Sequence, residues 1–237
     1  MNSYSALANI YDTFSHNDCD YESWSQYLFD IAKMGKVTSV VDIACGTGKM
    51  TQLLAKQGFR VVGVDNSPQM LAVAGQKCRA VFVQQDMKKL ALPSRVDMAV
   101  CVNDGVNYLK SNQLQGFFCQ VLQNLKTGAS FVFDVSSPYK LQQILGNNVF
   151  YDDREDVTLL WTNKLSPTHV DFSITIFQKQ GDVYVRSDEQ HTQYIHTPQS
   201  IVDALVQSGF CDIVQTADYG KQISPTSQRL TFWCKKA

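Results

Sequence analysis

The chain has 237 residues, 44% of them hydrophobic, which suits one large domain or a domain with a sizeable insertion and excludes a disordered or fibrous protein. A formal net charge of −1, with Lys88-Lys89 and Lys235-Lys236 as the only adjacent basic pairs, does not supply the basic face of a nucleic-acid groove. Seven scattered cysteines without a Cys-x-x-Cys pair, and four histidines without a His-x-x-x-His pair, speak against a disulfide framework or a metal site.

The N-terminal residues lack a basic region followed by an apolar one, and no apolar run is long enough to cross a bilayer, so a cytoplasmic protein with no membrane partner is expected. Tyr4, Tyr11, Phe14, Tyr21, Trp24, Tyr27 and Phe29 crowd the first segment, and the spacing of Trp24, Tyr27, Leu28 and Ile31 predicts a helix with these rings in the core. Val40, Val41 and Ile43 then favour a strand. Ala44, Gly46 and Gly48 follow, with little side-chain bulk where the backbone has to turn and approach a ligand. Met50, Leu53 and Leu54 predict a helix closed by Gly58, with its free N–H groups facing that loop.

Further strands are expected over Arg60–Val64, ending at Asp65, over Ala80–Gln85, ending at Asp86-Met87, and over Val96–Val102, ending at Asn103-Asp104. A helix capped by Ser67 with Pro68 in its first turn, and another marked by Leu114, Phe117, Phe118, Val121, Leu122 and Leu125, separate them. Lys126-Thr127-Gly128 reads as the turn into a fifth strand, Ser130–Val135. This βα alternation predicts a parallel sheet covered on both faces, with polar or acidic residues at the strand C-termini where such sheets bind ligands. After a short helix near 139–145 the period becomes two: Val157-Leu159-Trp161, Val170 to Ile176, and Val183-Val185, with a hairpin turn at Gln180-Gly181-Asp182. Thr197-Pro198 starts a last helix that stops at Ser208-Gly209, and Phe210–Val214 and Leu230–Cys234 supply two final strands.

Asp42 with Ala44, Gly46 and Gly48 forms an acidic residue followed by small-x-Gly-x-Gly, and in this the chain resembles the class I S-adenosylmethionine-dependent methyltransferases. A nicotinamide-binding turn fits less well, because Met50-Thr51 stand where that fingerprint wants glycine. The resemblance covers essentially the whole chain and is nearest to bacterial small-molecule enzymes such as sugar-amine and glycine N-methyltransferases. It implies an α/β fold with a Rossmann-like, seven-stranded, mostly parallel sheet and a small inserted antiparallel sheet. The expected division is a helical cap at 1–36, a cofactor-binding domain at 37–138 and 196–237, and a substrate-side lid at 139–195.

The cofactor implied is S-adenosyl-L-methionine, with a small-molecule methyl acceptor; a homodimer is compatible with the chain. Asp42 and the loop from Ala44 to Gly48 would serve the methionine part and Asp65 the ribose diol. Asp86 would accept from the adenine amine with Met87 on the ring, and Asn66, Met70 and Asn103 would flank the cofactor. The Tyr11-Asp12-x-Phe14 and Asp20-Tyr21-x-x-Trp24 segments resemble an N-terminal cap whose tyrosine lies over the cofactor, where a phenol ring can attract a sulfonium. Asn103-Asp104-Gly105-Val106-Asn107-Tyr108-Leu109 resembles an Asp-Ser-x-Asn-Tyr-Leu pattern on the acceptor side, with glycine in place of serine. Asn107 and Tyr108 are therefore substrate-side candidates. Tyr11, Asp104 and His191 are the catalytic candidates, His191 because imidazole titrates near neutral pH. A protein that binds the cofactor without turnover, and a methyltransferase acting on RNA or protein, are the alternatives.

Overall fold

A computed structural model describes residues 7–15 and 19–237; Tyr4, counted above among the N-terminal aromatics, lies outside them. The chain begins with α1 (Tyr11–Ser15) and α2 (Tyr21–Gly35) and enters the sheet at β1 (Ser39–Ile43). It continues through α3 (Lys49–Lys56), β2 (Arg60–Asp65), α4 (Pro68–Lys77), β3 (Val81–Gln84) and β4 (Val96–Cys101), then α5 (Leu114–Asn124) and β5 (Leu125–Ser136). A π-helical turn, Lys140–Leu145, leads into β6 (Val149–Arg154), β7 (Val157–Leu165), β8 (His169–Gln180) and β9 (Val183–Tyr194). The chain closes with α6 (Pro198–Ser208), β10 (Phe210–Ala217) and β11 (Arg229–Lys236).

The seven-stranded sheet has the order β10-β11-β5-β4-β1-β2-β3, parallel from β5 to β3, with β11 antiparallel to both β5 and β10. Its strands alternate between two cores. Val40, Met98, Val100 and Val132 face Trp24, Leu28, Met50 and Leu54 from α2 and α3. Val41, Ile43, Ala99, Cys101, Phe131 and Phe133 face Phe117, Phe118 and Val121 of α5 and Ile201 and Leu205 of α6. Burial on both faces is why the strands read as apolar runs. Ser67 caps α4 by accepting from Met70 N–H, and Thr197 caps α6 by accepting from Ser200 N–H, as the sequence predicts. Among the described residues no helix is long and apolar enough to cross a membrane.

Three local expectations change. The strand expected over Ser130–Val135 starts at Leu125, because Leu125 already pairs with Val96, and the residues read as a turn form an irregularity in the ladder with Gly128 left-handed. The second sheet has four antiparallel strands, in the order β6-β7-β8-β9, not three segments. Its β9 runs to Tyr194 although apolar alternation stops at Val185. Ser187, Glu189, His191 and Gln193 sit opposite the inward Ile176, Ile174, Phe172 and Val170 of β8, so that part of the inner face is polar. Hydrophobic periodicity does not register a polar inner face. The turn at Gln180-Gly181-Asp182 is where the sequence places it, with Gly181 at φ +63°.

Candidate active site

The C-terminal ends of β1, β2 and β4 surround a cavity of about 320 Å³. Asp42, Ala44 and Gly46 line it from the first loop, Asp65, Asn66 and Met70 from the second, and Asp86 and Met87 from the third. Asn103, Tyr108 and Tyr11 close it. Gly48 does not line the cavity. It opens α3 with φ +74°, and a Cβ there would lie 2.8 Å from Ala74 Cβ, so its lack of a side chain lets α3 pack on α4.

The loop is held from its neighbours. Asp65 Oδ2 accepts the Gly46 N–H at 2.8 Å and its Oδ1 the Ser67 N–H at 2.8 Å, while Cys45 N–H donates to Val64 O. Ala44, Asn103 and Asp104 are non-glycine residues at φ +56°, +63° and +56°. Such conformations cost of order 1–3 kcal/mol each and cluster at ligand sites. Gly105, in the place where serine stands in the similar pattern, has a reason to be glycine: a Cβ would meet Cys101 Sγ at 2.8 Å and Ala44 Cβ at 3.1 Å.

Asp42 is buried, and its Oδ2 accepts from Thr51 Oγ1 at 2.5 Å, while Oδ1 has no hydrogen-bond partner among the described residues. Burial, against the Thr51 hydrogen bond, pushes its carboxyl up to about 7. Burial likewise raises Asp65 against its backbone hydrogen bonds. Asp86 accepts from Lys88 N–H at 3.0 Å and forms an ion pair with Lys88 Nζ at 3.3 Å.

A second cavity, of about 180 Å³, lies between these loops and the inserted sheet. Tyr11, Asn103 and Tyr108 line both cavities, so they form the boundary between the two. Trp161, Phe172 and Ile174 form the sheet side, and Asp104, His191, Gln193 and Arg229 supply polar groups. His191 Nε2 lies 3.1 Å from Glu189 Oε2, with both side chains buried, and Glu189 Oε1 accepts the Leu7 N–H at 3.0 Å. The His191 ring stands edge-on to Tyr108 at 6.2 Å.

Asp104 is set in a network that short-range patterns do not reveal. Arg229 Nη1 reaches Asp104 Oδ1 at 3.2 Å and pairs with the fully buried Asp134, and Nη2 donates to Asn103 Oδ1 at 3.2 Å. Gln193 Nε2 donates to Asp104 Oδ2 at 2.7 Å. Burial raises the Asp104 carboxyl, but the charges of Arg229 and Lys140 and the Gln193 hydrogen bond outweigh it and hold Asp104 below the usual range. Asn103 Nδ2 in turn donates to Tyr11 Oη at 3.0 Å, and burial pushes the Tyr11 phenol upward, so it stays protonated. Asn107 lines neither cavity. Its side chain accepts the Ser136 N–H at 2.8 Å and donates to Tyr194 O at 3.0 Å, tying the turn after β4 to β5 and to the end of β9.

Arg229, Asp134, Glu189 and Gln193 are the site residues that sequence reasoning missed. An acid at the end of the apolar run Phe131–Val135 is the one local signal among them, since a carboxylate there needs a partner. Helix α1 links the parts: Asp12 accepts from Thr47 Oγ1 at 2.5 Å and pairs with Lys77, and Arg154 of β6 donates to Thr13 O at 2.9 Å.

A family described as a methyltransferase domain matches residues 40–128. The chain is 31% identical over 246 residues to a Bacillus subtilis (strain 168) protein named "Putative methyltransferase YqeM", covering 99% of this chain and 97% of the relative. A crystal structure of an S-adenosylmethionine-dependent methyltransferase from Clostridium acetobutylicum ATCC 824 is similar with a TM-score of 0.90 and 30% identity, covering 99% of each chain. The sugar N-methyltransferase KedS8 from Streptoalloteichus shares the fold, with a TM-score of 0.82 at 19% identity, covering 95% of this chain and 92% of that one. The motif, the strand order and these likenesses agree, and the chain belongs to the class I S-adenosylmethionine-dependent methyltransferases.

Proposed function

We propose that the methyl group goes to a nitrogen or oxygen atom of a small molecule held in the second cavity. The observation that carries this reading is the cavity itself. It is roofed by the inserted sheet, adjoins the first cavity at Tyr11, Asn103 and Tyr108, and at about 180 Å³ falls below the usual range of about 300–1,000 Å³ for drug-sized ligands.

The residues of the first cavity fit the cofactor. Asp42 Oδ1 is a buried acceptor without a donor among the described residues, suited to the ammonium of the methionine part. Asp65 is suited to the ribose hydroxyls, and Asp86 with Met87 to the adenine amine and ring. S-adenosylmethionine supplies an electrophilic methyl on a sulfonium. The chain's own work is then alignment and exclusion of water, and well-oriented reactants can gain about 7–11 kcal/mol from alignment. Tyr11, fixed by Asn103, holds the boundary between the two cavities.

A protonated amine or a hydroxyl must lose a proton to be methylated. Asp104, anionic at the cavity wall, favours a cationic or hydrogen-bond-donating acceptor there. His191 takes the proton, and Glu189, which touches His191 and not the cavity, is the positioning residue that orients the ring.

Release of S-adenosylhomocysteine, screened across amines, alcohols and phenols, tests the proposal. Turnover on one of these classes is expected, with the pH profile of kcat/KM shifted in Glu189→Gln. Silence across all three classes, with cofactor binding intact, would favour a binding protein without turnover.

A further inference from the structure

Beside the second cavity lies a third, of about 380 Å³, that nothing above uses. Lys140 and Arg229 line both, so the two cavities share a wall. Its other side is the segment between β10 and β11, with Asp218, Tyr219, Lys221, Ser224, Thr226 and Ser227. Arg229 is committed to Asp104, Asp134 and Asn103, but neither the Lys140 nor the Lys221 ammonium takes part in an ion pair or side-chain hydrogen bond among the described residues. Lys140 lines both cavities, and its charge acts on Asp104.

The segment is built and not slack. Ala217 and Lys221 exchange backbone hydrogen bonds at 2.8 and 2.7 Å, and Ser224 and Ser227 close a turn through the Ser227 N–H to Ser224 O and the Ser224 N–H to Ser227 Oγ. Gln228 O accepts the Ser137 N–H at 2.8 Å, joining the segment to the start of the π-helical turn that carries Lys140. Asp218, Tyr219 and Gly220 are consecutive residues at φ +23°, +60° and +94°. Strained backbone and π-helical turns both mark functional sites more often than chance. Lys140, Lys221 and Arg229 line the cavity against one lining carboxylate, Asp218, with the Asp20 carboxylate also within reach of the Lys221 charge, and with the Ser224, Thr226 and Ser227 hydroxyls they form a setting for an anion.

We infer that this cavity is a subsite for a phosphate or carboxylate group carried by the methyl acceptor, at the end away from the methylated atom. The inference rests on the acceptor occupying the second cavity. Its first test does not. Inorganic phosphate titrated into the full chain, with S-adenosylhomocysteine present, should give saturable amide shifts over residues 217–229 and near Lys140, beyond those of sodium chloride at matched ionic strength. The double variant Lys140→Ala/Lys221→Ala should weaken that binding at least tenfold while binding S-adenosylhomocysteine as the wild type does, which certifies its fold. No saturable shift, or an undiminished one in the double variant, overturns the subsite.

The second test uses the acceptor found by screening, run as its phosphorylated, carboxylated and neutral analogues. Lys221→Ala, which alters the third cavity and leaves the lining of the second intact, should raise KM severalfold for whichever anionic form turns over and leave the neutral form little changed. Phosphate binding with an unchanged KM overturns the link to the acceptor. Phosphate binding without any acceptor turnover counts against the methyl-transfer reading and leaves the subsite standing.

Discussion

The two halves of the active site are assembled differently. The first cavity is made of loops that each follow one strand, and its carboxylates come from a short stretch of chain, Asp42, Asp65 and Asp86. The second draws Tyr11, Asp104, Glu189, His191 and Arg229 from across the whole sequence, and the Arg229–Asp104 pair alone spans 125 residues. Local chemistry thus builds the first cavity, and long-range pairing builds the second. Family resemblance reads the first cavity easily, while the second is set by contacts that no motif contains.

The sharpest way to break this contrast is at Arg229. Arg229→Met leaves Asp104 and Asp134 buried with no cation between them, and removal of one partner of a buried pair typically costs about 3–5 kcal/mol. Chemical denaturation should show a loss of that order, with part recovered in Arg229→Met/Asp134→Asn. A loss below about 1 kcal/mol would mean that the network does not hold the second cavity together.

Asp42 tests the donor half. Its carboxyl, at about 7 in the folded chain, titrates near the ordinary value of about 3.9 when unfolded, so the folded chain binds the extra proton between those values. Stability therefore falls as pH rises from about 4 to 7, by on the order of 3–4 kcal/mol from this group. Asp42→Asn should flatten that slope in urea unfolding followed across the window; an unchanged slope would place the titrating group elsewhere.

Asp65→Ala removes the acceptor for the Gly46 and Ser67 N–H groups together with the carboxylate proposed for the ribose. A cost of about 2–3 kcal/mol in S-adenosylhomocysteine binding is expected, roughly 30- to 150-fold by calorimetry. Tyr11→Phe, which deletes the hydroxyl bonded to Asn103, should have the smallest effect, about 0.5–1.5 kcal/mol on kcat/KM.

The fold was legible because its signals are local. The apolar runs at Val40–Ile43 and Phe131–Val135, the caps at Ser67 and Thr197 and the turn at Gly181 each report the residues around them. The polar end of β9 was not legible, because His191 and Gln193 line a cavity, Glu189 is buried behind His191, and together they break the apolar alternation that identifies a strand. Asp104 and His191 stood out as candidates, yet the groups they contact, Arg229 for one and Glu189 for the other, are brought by the final strand and by sheet pairing. Asn107 looked functional within its motif, while its side chain ties β5 and β9 to the turn after β4.

The most direct test follows a labelled methyl group. Wild-type protein incubated with deuteromethyl S-adenosylmethionine and a metabolite extract should yield a small molecule carrying the label on nitrogen or oxygen, as read by mass spectrometry. Trp161→Ala, altered only in the wall of the second cavity, should lose that product while still binding S-adenosylhomocysteine. Label found in the RNA or protein fraction, with no labelled small molecule, would contradict the account.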